Sequence, residues 1–177
     1  MDDFMELALK RQSCRQYQDK PVEHDKLLKC VEAARLNPSA CNSQPWSVVV
    51  VESPDVVPEV AKTTMQLGIN EYIGNAKAFF VIVEEYAKLI PNVAKVLDSQ
   101  YWAKGDLGAF AYALCLQAES QGIGTCTLGV FDRPRLRELL SIPQDKNIFL
   151  VIAVGYPAKD HVRNKQRKPI EEIVRFV

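Results

Sequence analysis

The sequence is poor in the residues that usually bind metals. It contains two histidines, and no two of its five cysteines form a C-x-x-C pair. A zinc site is therefore not predicted, and His24 and His161 are expected at the surface rather than in acid–base catalysis. An odd number of scattered cysteines is typical of a protein in a reducing compartment. They are Cys14, Cys30, Cys41, Cys115 and Cys126.

An excess of charge is also absent. Lys plus Arg number 22 and Asp plus Glu number 22, so the formal net charge is zero. This balance gives no electrostatic reason to expect nucleic acid or an anionic membrane as a partner. The apolar runs at 47–51, 79–83 and 149–154 are too short to span a bilayer, and residues 1–6 lack the features of a signal peptide. We therefore expect a cytoplasmic protein.

The chain has 177 residues, of which 47% are hydrophobic, enough for one globular domain over 1–177. Apolar periodicity predicts helices at 2–11, 25–35, 98–121 and 132–140, and a proline-started helix at 53–66. Strands are predicted at 47–51, 79–83 and 147–154, the last of them central, and the segment after Gly122 is strand-like. The mixture is typical of an α+β fold in which helices dominate.

The predicted helix at 98–121 is apolar nearly all round. Such a helix is buried on all sides, either in the centre of a domain or in a subunit interface. Gly105, Gly108, Ala109 and Ala113 would permit another helix to approach closely. We interpret this helix as the core of a homodimer, with Gly122 suited to its C-terminal cap.

The segment PSACNSQPW at 38–46 joins a predicted helix to a predicted strand. Its two prolines hold the chain semi-extended around a group of short polar side chains. A rigid loop of this kind suits the orientation of a flat polar ligand. The alternative is an ordinary turn in which Asn and Ser make local hydrogen bonds.

Cationic residues mark both ends of the sequence. Arg11 and Arg15 lie on one side with Ser13 if the chain is extended there, and the two arginines still share a face if the helix continues. Paired guanidinium groups recognise phosphate or carboxylate, although a solvated cationic helix end is the alternative. The glycine-rich segment 122–129 lacks the Lys-Ser/Thr of a phosphate-binding loop, but backbone at Gly124 and Gly129 could approach a flat ligand.

Four segments, in this order, resemble motifs of the FMN-dependent nitroreductase family. RQSCRQY at 11–17 is similar to R-x-S-x-R-x-[YF], and NPSACNSQPW at 37–46 is similar to A-P-S-x-x-N-x-Q-P-W. GIGTCTLG at 122–129 looks like G-L-G-T-x-x-x-G, and 165–174 resembles the family's C-terminal phosphate-binding end. Together they span nearly the whole chain. Asn37 departs from the family's usual alanine.

The resemblance implies a nitroreductase-like three-layer α-β-α fold with a small mixed, mainly antiparallel sheet, a long central helix and an intertwined homodimer. It also implies FMN at each of two subunit interfaces. The ribityl phosphate would be held by side chains and one main-chain group, namely Arg11, Ser13, Arg15, Lys165, Arg167 and the main chain of Gln12. The partner subunit would line the ring with Pro38, Ser39, Ala40 and Asn42, and backbone would run beneath the ring at Thr127, Leu128 and Gly129. Asn70 is a further position whose alignment the motifs do not fix.

The function implied by the resemblance is that of an FMN-dependent oxidoreductase. It would take hydride from NADH or NADPH and reduce nitroaromatic, quinone or related electron-poor small molecules by a ping-pong mechanism. Because a flavin carries this chemistry itself, no catalytic side chain and no metal ligand are expected. An FMN-binding storage or regulatory protein without NAD(P)H turnover is the alternative. Segment 84–98 is interpreted as a substrate lid, and the motif cysteines as core fillers or, alternatively, a redox-active thiol.

Overall fold

The structure is a computed structural model that describes residues 3–159 and 162–177. The predicted surface position of His161 lies outside the described residues, whereas His24 is exposed. The helices are α1 Asp3–Lys10, α2 His24–Ala34, α3 Val57–Thr64, α4 Pro91–Ala94, α5 Ser99–Ser120 and α6 Arg133–Leu139. The strands are β1 Trp46–Val51, β2 Ala78–Glu84, β3 Gly124–Leu128 and β4 Asn147–Gly155. Short 3₁₀ turns occur at Ala40–Asn42, Gln66–Gly68, Glu71–Asn75 and Ile170–Glu172.

The four strands form one sheet in the order β1-β2-β4-β3, and every neighbouring pair is antiparallel. β4 is central, as predicted, and β2 beside it is buried along its whole length. Among the described residues, parallel pairing is limited to a single bridge between Ser13 and Thr125. The sheet is therefore antiparallel except for this bridge, and the predicted α+β class is confirmed.

Each face of the sheet carries its own apolar cluster, because successive side chains of a strand point to opposite faces. Phe79 and Val81 of β2 pack in the cluster that includes Val60 of α3 and Leu136 of α6. Phe80 of β2 packs in the other cluster, which is formed mainly by α2 and α5. Helices thus cover both faces, and the predicted three-layer α-β-α arrangement is confirmed.

Helix α5 is the longest helix, with 22 residues. Asp98 caps its start by accepting hydrogen bonds from the backbone N–H groups of Gln100 and Tyr101, at 3.0 and 3.2 Å. At its end Gly122 adopts a φ of +71°, and the N–H of Ile123 donates to the carbonyl of Ala118 at 2.9 Å. These are the bonds of a Schellman motif, so the predicted glycine cap is confirmed.

One predicted helix begins later than expected. The helix predicted from residue 53 starts at Val57, and residues 53–56 form a turn in which the N–H groups of Val56 and Val57 donate to the carbonyl of Ser53. Pro58 explains the shift, since proline lacks an N–H and fits only the first turn of a helix. In the predicted lid at 84–98, the short helix α4 forms where no helix was predicted.

Candidate functional site

The site begins where α1 ends and the chain becomes extended. The N–H of Cys14 donates to the carbonyl of Thr125 at 2.8 Å, and Tyr17 forms an antiparallel bridge with Pro157. Cys14 and Tyr17 are both buried. Of the two conformations left open by the sequence, the extended one therefore occurs, and it lies along the ends of β3 and β4.

Two glycines make this packing possible. A Cβ atom at Gly124 would lie 2.7 Å from the Cβ of Cys14, and one at Gly155 would lie 2.7 Å from Cδ1 of Tyr17. Any larger residue would push segment 11–17 off the sheet. The close approach predicted at Gly124 is thus made by the chain itself, whereas Gly129 has no neighbour of this kind within 4 Å.

The C-terminal region returns to the same place. The backbone N–H and the Nε of Arg163 both donate to Oε1 of Gln12, at 3.1 and 3.2 Å, and its Nη2 donates to the carbonyl of Ser13 at 2.8 Å. The ammonium group of Lys165 donates to the carbonyl of Arg11. Segments about 150 residues apart in sequence are therefore joined by side-chain hydrogen bonds.

Together these segments enclose a cavity of about 350 Å³. Burial lowers the pKa of the Lys165 ammonium, and the neighbouring charges of Arg11 and Arg167 lower it further. Clustered guanidinium and ammonium groups recognise phosphate through charge-assisted hydrogen bonds, so this donor set suits a phosphate-bearing ligand. The lining residues are Arg11, Gln12, Ser13, Arg163, Asn164, Lys165, Gln166 and Arg167.

Arg15 lines a second cavity of about 360 Å³, which shares Gln12, Ser13 and Arg163 with the first. Its guanidinium carbon lies 5.5 Å from the centre of the Tyr72 ring. The Tyr72 hydroxyl donates to Oδ1 of Asn70 at 2.8 Å. The structure thereby links Arg15 to Asn70 through one aromatic side chain.

Among the described residues that line the second cavity, Glu119 is the acidic one. Burial raises the pKa of its carboxyl group, while the nearby charges of Arg11 and Lys165 oppose that rise. Neither Glu119 nor Arg163 was predicted as a site residue. Arg163 lies two residues before Lys165, and this alternation of cations in an extended segment is the signal that could have revealed it.

The predicted backbone platform lies at the end of β3. Thr127 and Gly129 are exposed, and Leu128 is buried in the core opposite Val151. Since the Leu128 side chain faces the core, only its backbone can contact a ligand. β3 is an edge strand, so it has a strand of the sheet, β4, on one side only.

The predicted polar loop at 38–46 is strained and internally tied. Cys41, Asn42 and Gln44 have φ values of 53°, 51° and 49°, in the left-handed region that residues other than glycine seldom adopt. Oγ of Ser39 accepts the Gln44 N–H at 2.8 Å. The Ser39 bond is of the local kind expected for an ordinary turn, the alternative interpretation of this loop. Three left-handed residues, however, are more than an ordinary turn contains.

The same loop is fixed to α5 and is distant from the cationic cavity. The N–H of Ala40 donates to Oδ2 of Asp106 at 3.1 Å. Glu119, beside the cavities, lies thirteen residues further along the same helix, a rise of about 20 Å. A single chain therefore brings together the predicted residues at 11–15 and 165–167, but not those at 38–42.

The cysteines lie mostly in the core. Cys14, Cys30, Cys115 and Cys126 are buried, Cys41 is exposed, and all five are free thiols. Burial raises the pKa of Cys14 and Cys126, the two buried motif cysteines, which makes their thiolates scarce at neutral pH. Within residues 3–159 and 162–177, no three His, Cys, Asp or Glu side chains are grouped so as to hold a metal ion.

The fold and these contacts define a three-layer α+β protein whose two chain ends meet at the edge of an antiparallel sheet. A model of the nitroreductase family matches residues 8–156, so the chain belongs to the nitroreductase family. A protein of Archaeoglobus fulgidus with the provisional name NADH dehydrogenase/NAD(P)H nitroreductase is 30% identical over 161 residues, which cover 89% of this chain and 87% of that one. An iodotyrosine deiodinase of Nematostella vectensis is 28% identical, over 97% of this chain and 74% of that one.

Solved structures have the same fold. A nitroreductase family protein of Clostridium difficile is 26% identical and superimposes with a TM-score of 0.82, covering 99% of this chain and 98% of that one. A protein of Exiguobacterium sibiricum solved in complex with FMN has a TM-score of 0.85 at 19% identity, covering 100% of this chain and 98% of that one. At that identity the second likeness concerns the fold alone. Over the part of the chain that the structure describes, no helix is both long and apolar enough to cross a membrane.

Proposed function

We propose that this protein is an FMN-dependent oxidoreductase that uses NADH or NADPH to reduce nitroaromatic, quinone or related electron-poor small molecules. The observation that carries the proposal is the cationic cavity that both chain ends build in a nitroreductase-family fold. A phosphate monoester carries nearly two negative charges, and it needs several donors in one place. The donors supplied by Arg11, Lys165 and Arg167 fit that requirement.

The phosphate of FMN is assigned to the two chain ends. Arg11, Ser13, Lys165 and Arg167 line the cavity, and the main chain of Gln12 contributes beside them. Arg15 extends from the same segment into the adjoining cavity, where it can reach the ribityl chain or the ring. Cations near the pyrimidine edge of a flavin favour its reduced, anionic form, so Arg15 would also tune the cofactor.

The flavin ring is assigned to the end of β3 and to a second subunit. Backbone at Thr127, Leu128 and Gly129 would lie beneath the ring. The loop residues Pro38, Ser39, Ala40 and Asn42 would come from the partner, since within one chain they lie about 20 Å along α5 from the cavity. The strained backbone of this loop, at Cys41, Asn42 and Gln44, supports a role in holding a flat ligand.

A homodimer is supported by the exposed face of α5. Tyr101, Trp102 and Tyr112 are 70%, 47% and 44% exposed, although the helix was predicted to be buried on all sides. Next to them Gly105 and Gly108 are exposed, and a Cβ atom added at either would meet no neighbour within 4 Å. Aromatic side chains beside small residues on a helix form a surface suited to close helix packing.

When bound, FMN would supply the redox chemistry, namely hydride transfer from NAD(P)H and reduction of the acceptor in a ping-pong mechanism. The protein's own residues bind, orient and shield it. The names of the relatives in Archaeoglobus and Thermus, NAD(P)H nitroreductase and NADH dehydrogenase, support a nicotinamide donor. Five free thiols also support a reducing compartment, for which we propose the cytoplasm.

An absorption spectrum of the purified protein, recorded before and after anaerobic addition of NADH or NADPH, tests the proposal. We expect the bands of oxidised flavin, and their loss on addition of the donor. Bands that persist with both donors would indicate an FMN-binding storage or regulatory protein. A colourless protein that cannot be reconstituted with FMN would contradict the proposal.

A further inference from the structure

Arg163 differs from the other cations of the cavity in where its donors point. Its backbone N–H and Nε converge on one acceptor, Oε1 of Gln12, and its Nη2 donates to the carbonyl of Ser13. These three bonds, at 3.1, 3.2 and 2.8 Å, all join the C-terminal region to the N-terminal segment. The guanidinium is thus committed largely to protein acceptors.

The partners of Arg163 are themselves fixed to the sheet. Ser13 bridges to Thr125, and the next residue, Cys14, donates to the Thr125 carbonyl at 2.8 Å. Fastening residue 163 to this segment therefore fixes the start of 163–167 relative to the sheet edge. Lys165 and Arg167 lie two and four residues further on and line the same cavity.

We propose that Arg163 is a positioning residue that fastens the C-terminal region to Gln12 and Ser13, and so holds Lys165 and Arg167 in place for the FMN phosphate. The inference rests on the proposed function, because it concerns the same cavity. It assigns Arg163 a role that depends on the fork geometry of its side chain. Lysine has a single ammonium group and cannot reproduce that geometry.

The first test is FMN affinity, measured by quenching of flavin fluorescence. Arg163→Ala removes the guanidinium group and should weaken FMN binding about tenfold. Arg163→Lys keeps the positive charge but should weaken FMN binding nearly as much. Gln12→Ala removes the shared acceptor, so the loss of affinity in the double variant Gln12→Ala/Arg163→Ala should be smaller than the sum of the two single losses.

Lys168→Ala is the matched control, because Lys168 is a neighbouring exposed cation that is not among the residues lining the cavity. Its affinity for FMN should stay within about twofold of wild type. Wild-type affinity in Arg163→Lys, with weak binding in Arg163→Ala, would mean that Arg163 acts by charge alone and would overturn the inference. Independent, additive effects of the Gln12 and Arg163 substitutions would overturn it as well.

A second readout needs no FMN. The backbone N–H of Arg163 donates to the Gln12 side chain, so its hydrogen exchange in the FMN-free protein should accelerate in Gln12→Ala. Exchange that is unchanged in Gln12→Ala would show that the fastening does not exist. If the wild-type protein binds no FMN, the proposed function fails, while this exchange measurement still decides whether the contact forms.

Discussion

Lys165 is half-buried beside two other cations, and its ammonium group is poorly solvated there. Burial and the charges of Arg11 and Arg167 lower its pKa. In the FMN-free protein the charged Lys165 therefore lowers the free energy of unfolding at neutral pH. This destabilisation disappears as the pH rises from the lowered pKa of the folded state to the ordinary pKa of the unfolded state. A bound phosphate would reverse the local balance, because it favours the protonated ammonium.

FMN affinity should therefore fall as the pH is raised through the lowered pKa of Lys165. The affinity falls because Lys165, with its lowered pKa, loses its proton at a lower pH than an ordinary lysine does. The phosphate then loses one positive charge beside it. Titrations between pH 7 and 9.5 would measure the effect. Lys165→Arg is the control, since arginine stays protonated and should lose less affinity over this range. Equal pH profiles for the two proteins would contradict the prediction.

Arg15 and Arg167 offer a second test at the scale of single residues. Replacing either by alanine should weaken FMN binding by about 1.5–3 kcal/mol, since each removes one set of charged hydrogen bonds. Arg175→Ala, a substitution in the same C-terminal region but not among the cavity-lining residues, serves as the comparison. Isothermal titration calorimetry would measure all three. Unchanged affinity in Arg167→Ala would mean that the phosphate assignment is misplaced, and unchanged affinity in Arg15→Ala would mean that Arg15 contacts neither the ribityl chain nor the ring.

The sequence motifs predicted Arg11, Lys165 and Arg167, and the structure places all three around the cationic cavity. They did not identify Arg163, whose role comes from hydrogen bonds to acceptors about 150 residues away. No local pattern carries that information. Tyr72 is similar, since its link between Arg15 and Asn70 exists only once 3₁₀ turn Glu71–Asn75 is folded beside segment 11–17.

At the scale of elements, the sheet edge depends on two missing side chains. A methyl group at Gly155 would come within 2.7 Å of the Tyr17 ring. Tyr17 has little room to move, because its side chain is buried and its backbone bridges to Pro157. The extended segment 11–17 and the strand end are therefore fitted to one another. The cationic cavity inherits its geometry from this fit.

Gly155→Ala should lower the free energy of unfolding by about 1–3 kcal/mol, because the new methyl group overpacks the contact with Tyr17. It should also weaken FMN binding by displacing segment 11–17. Chemical denaturation and fluorescence titration would measure the two effects. In Gly129→Ala, where a Cβ has no neighbour within 4 Å, stability should change much less. Equal stability of both variants and wild type would refute the role given to Gly155.

Elements were predictable where periodicity and capping agreed. The start of α5 at Ser99 and its glycine cap followed from local signals, and the central position of β4 followed from its continuous apolar run. The start of α3 was misjudged because two prolines compete, and only Pro58 lies in the first turn. Helix α4 lies in a segment without apolar periodicity, and its sequence signal is limited to Pro91 in its first turn.

At the scale of the whole molecule, a single chain leaves the predicted site divided. The cationic cavity and the loop at 38–46 lie near different parts of α5, about 20 Å apart along the helix, and α5 has an exposed face that carries aromatic residues. A dimer that packs these faces together would join the two parts. The dimer and the extent of a single domain over 1–177 both stay predictions.

Gly105→Glu should disrupt the dimer without unfolding the protomer. A side chain at Gly105 meets no neighbour within 4 Å in one chain, yet it would place a charge in the proposed interface. Sedimentation velocity would measure the mass and circular dichroism the fold. Lys29→Glu, on the exposed side of α2, should remain dimeric. A Gly105→Glu protein that stays dimeric, or a wild-type protein that is monomeric, would place the interface elsewhere or remove it.

The meeting of distant segments at the cavity also sets an order of events during biosynthesis. The ribosome makes 11–13 long before 163–167. Until Arg163 and Lys165 have been synthesised, the cationic cavity has only one wall. Cofactor loading would therefore follow translation of residue 167, and a chain that stops before that residue is expected to lack the second wall of the cavity.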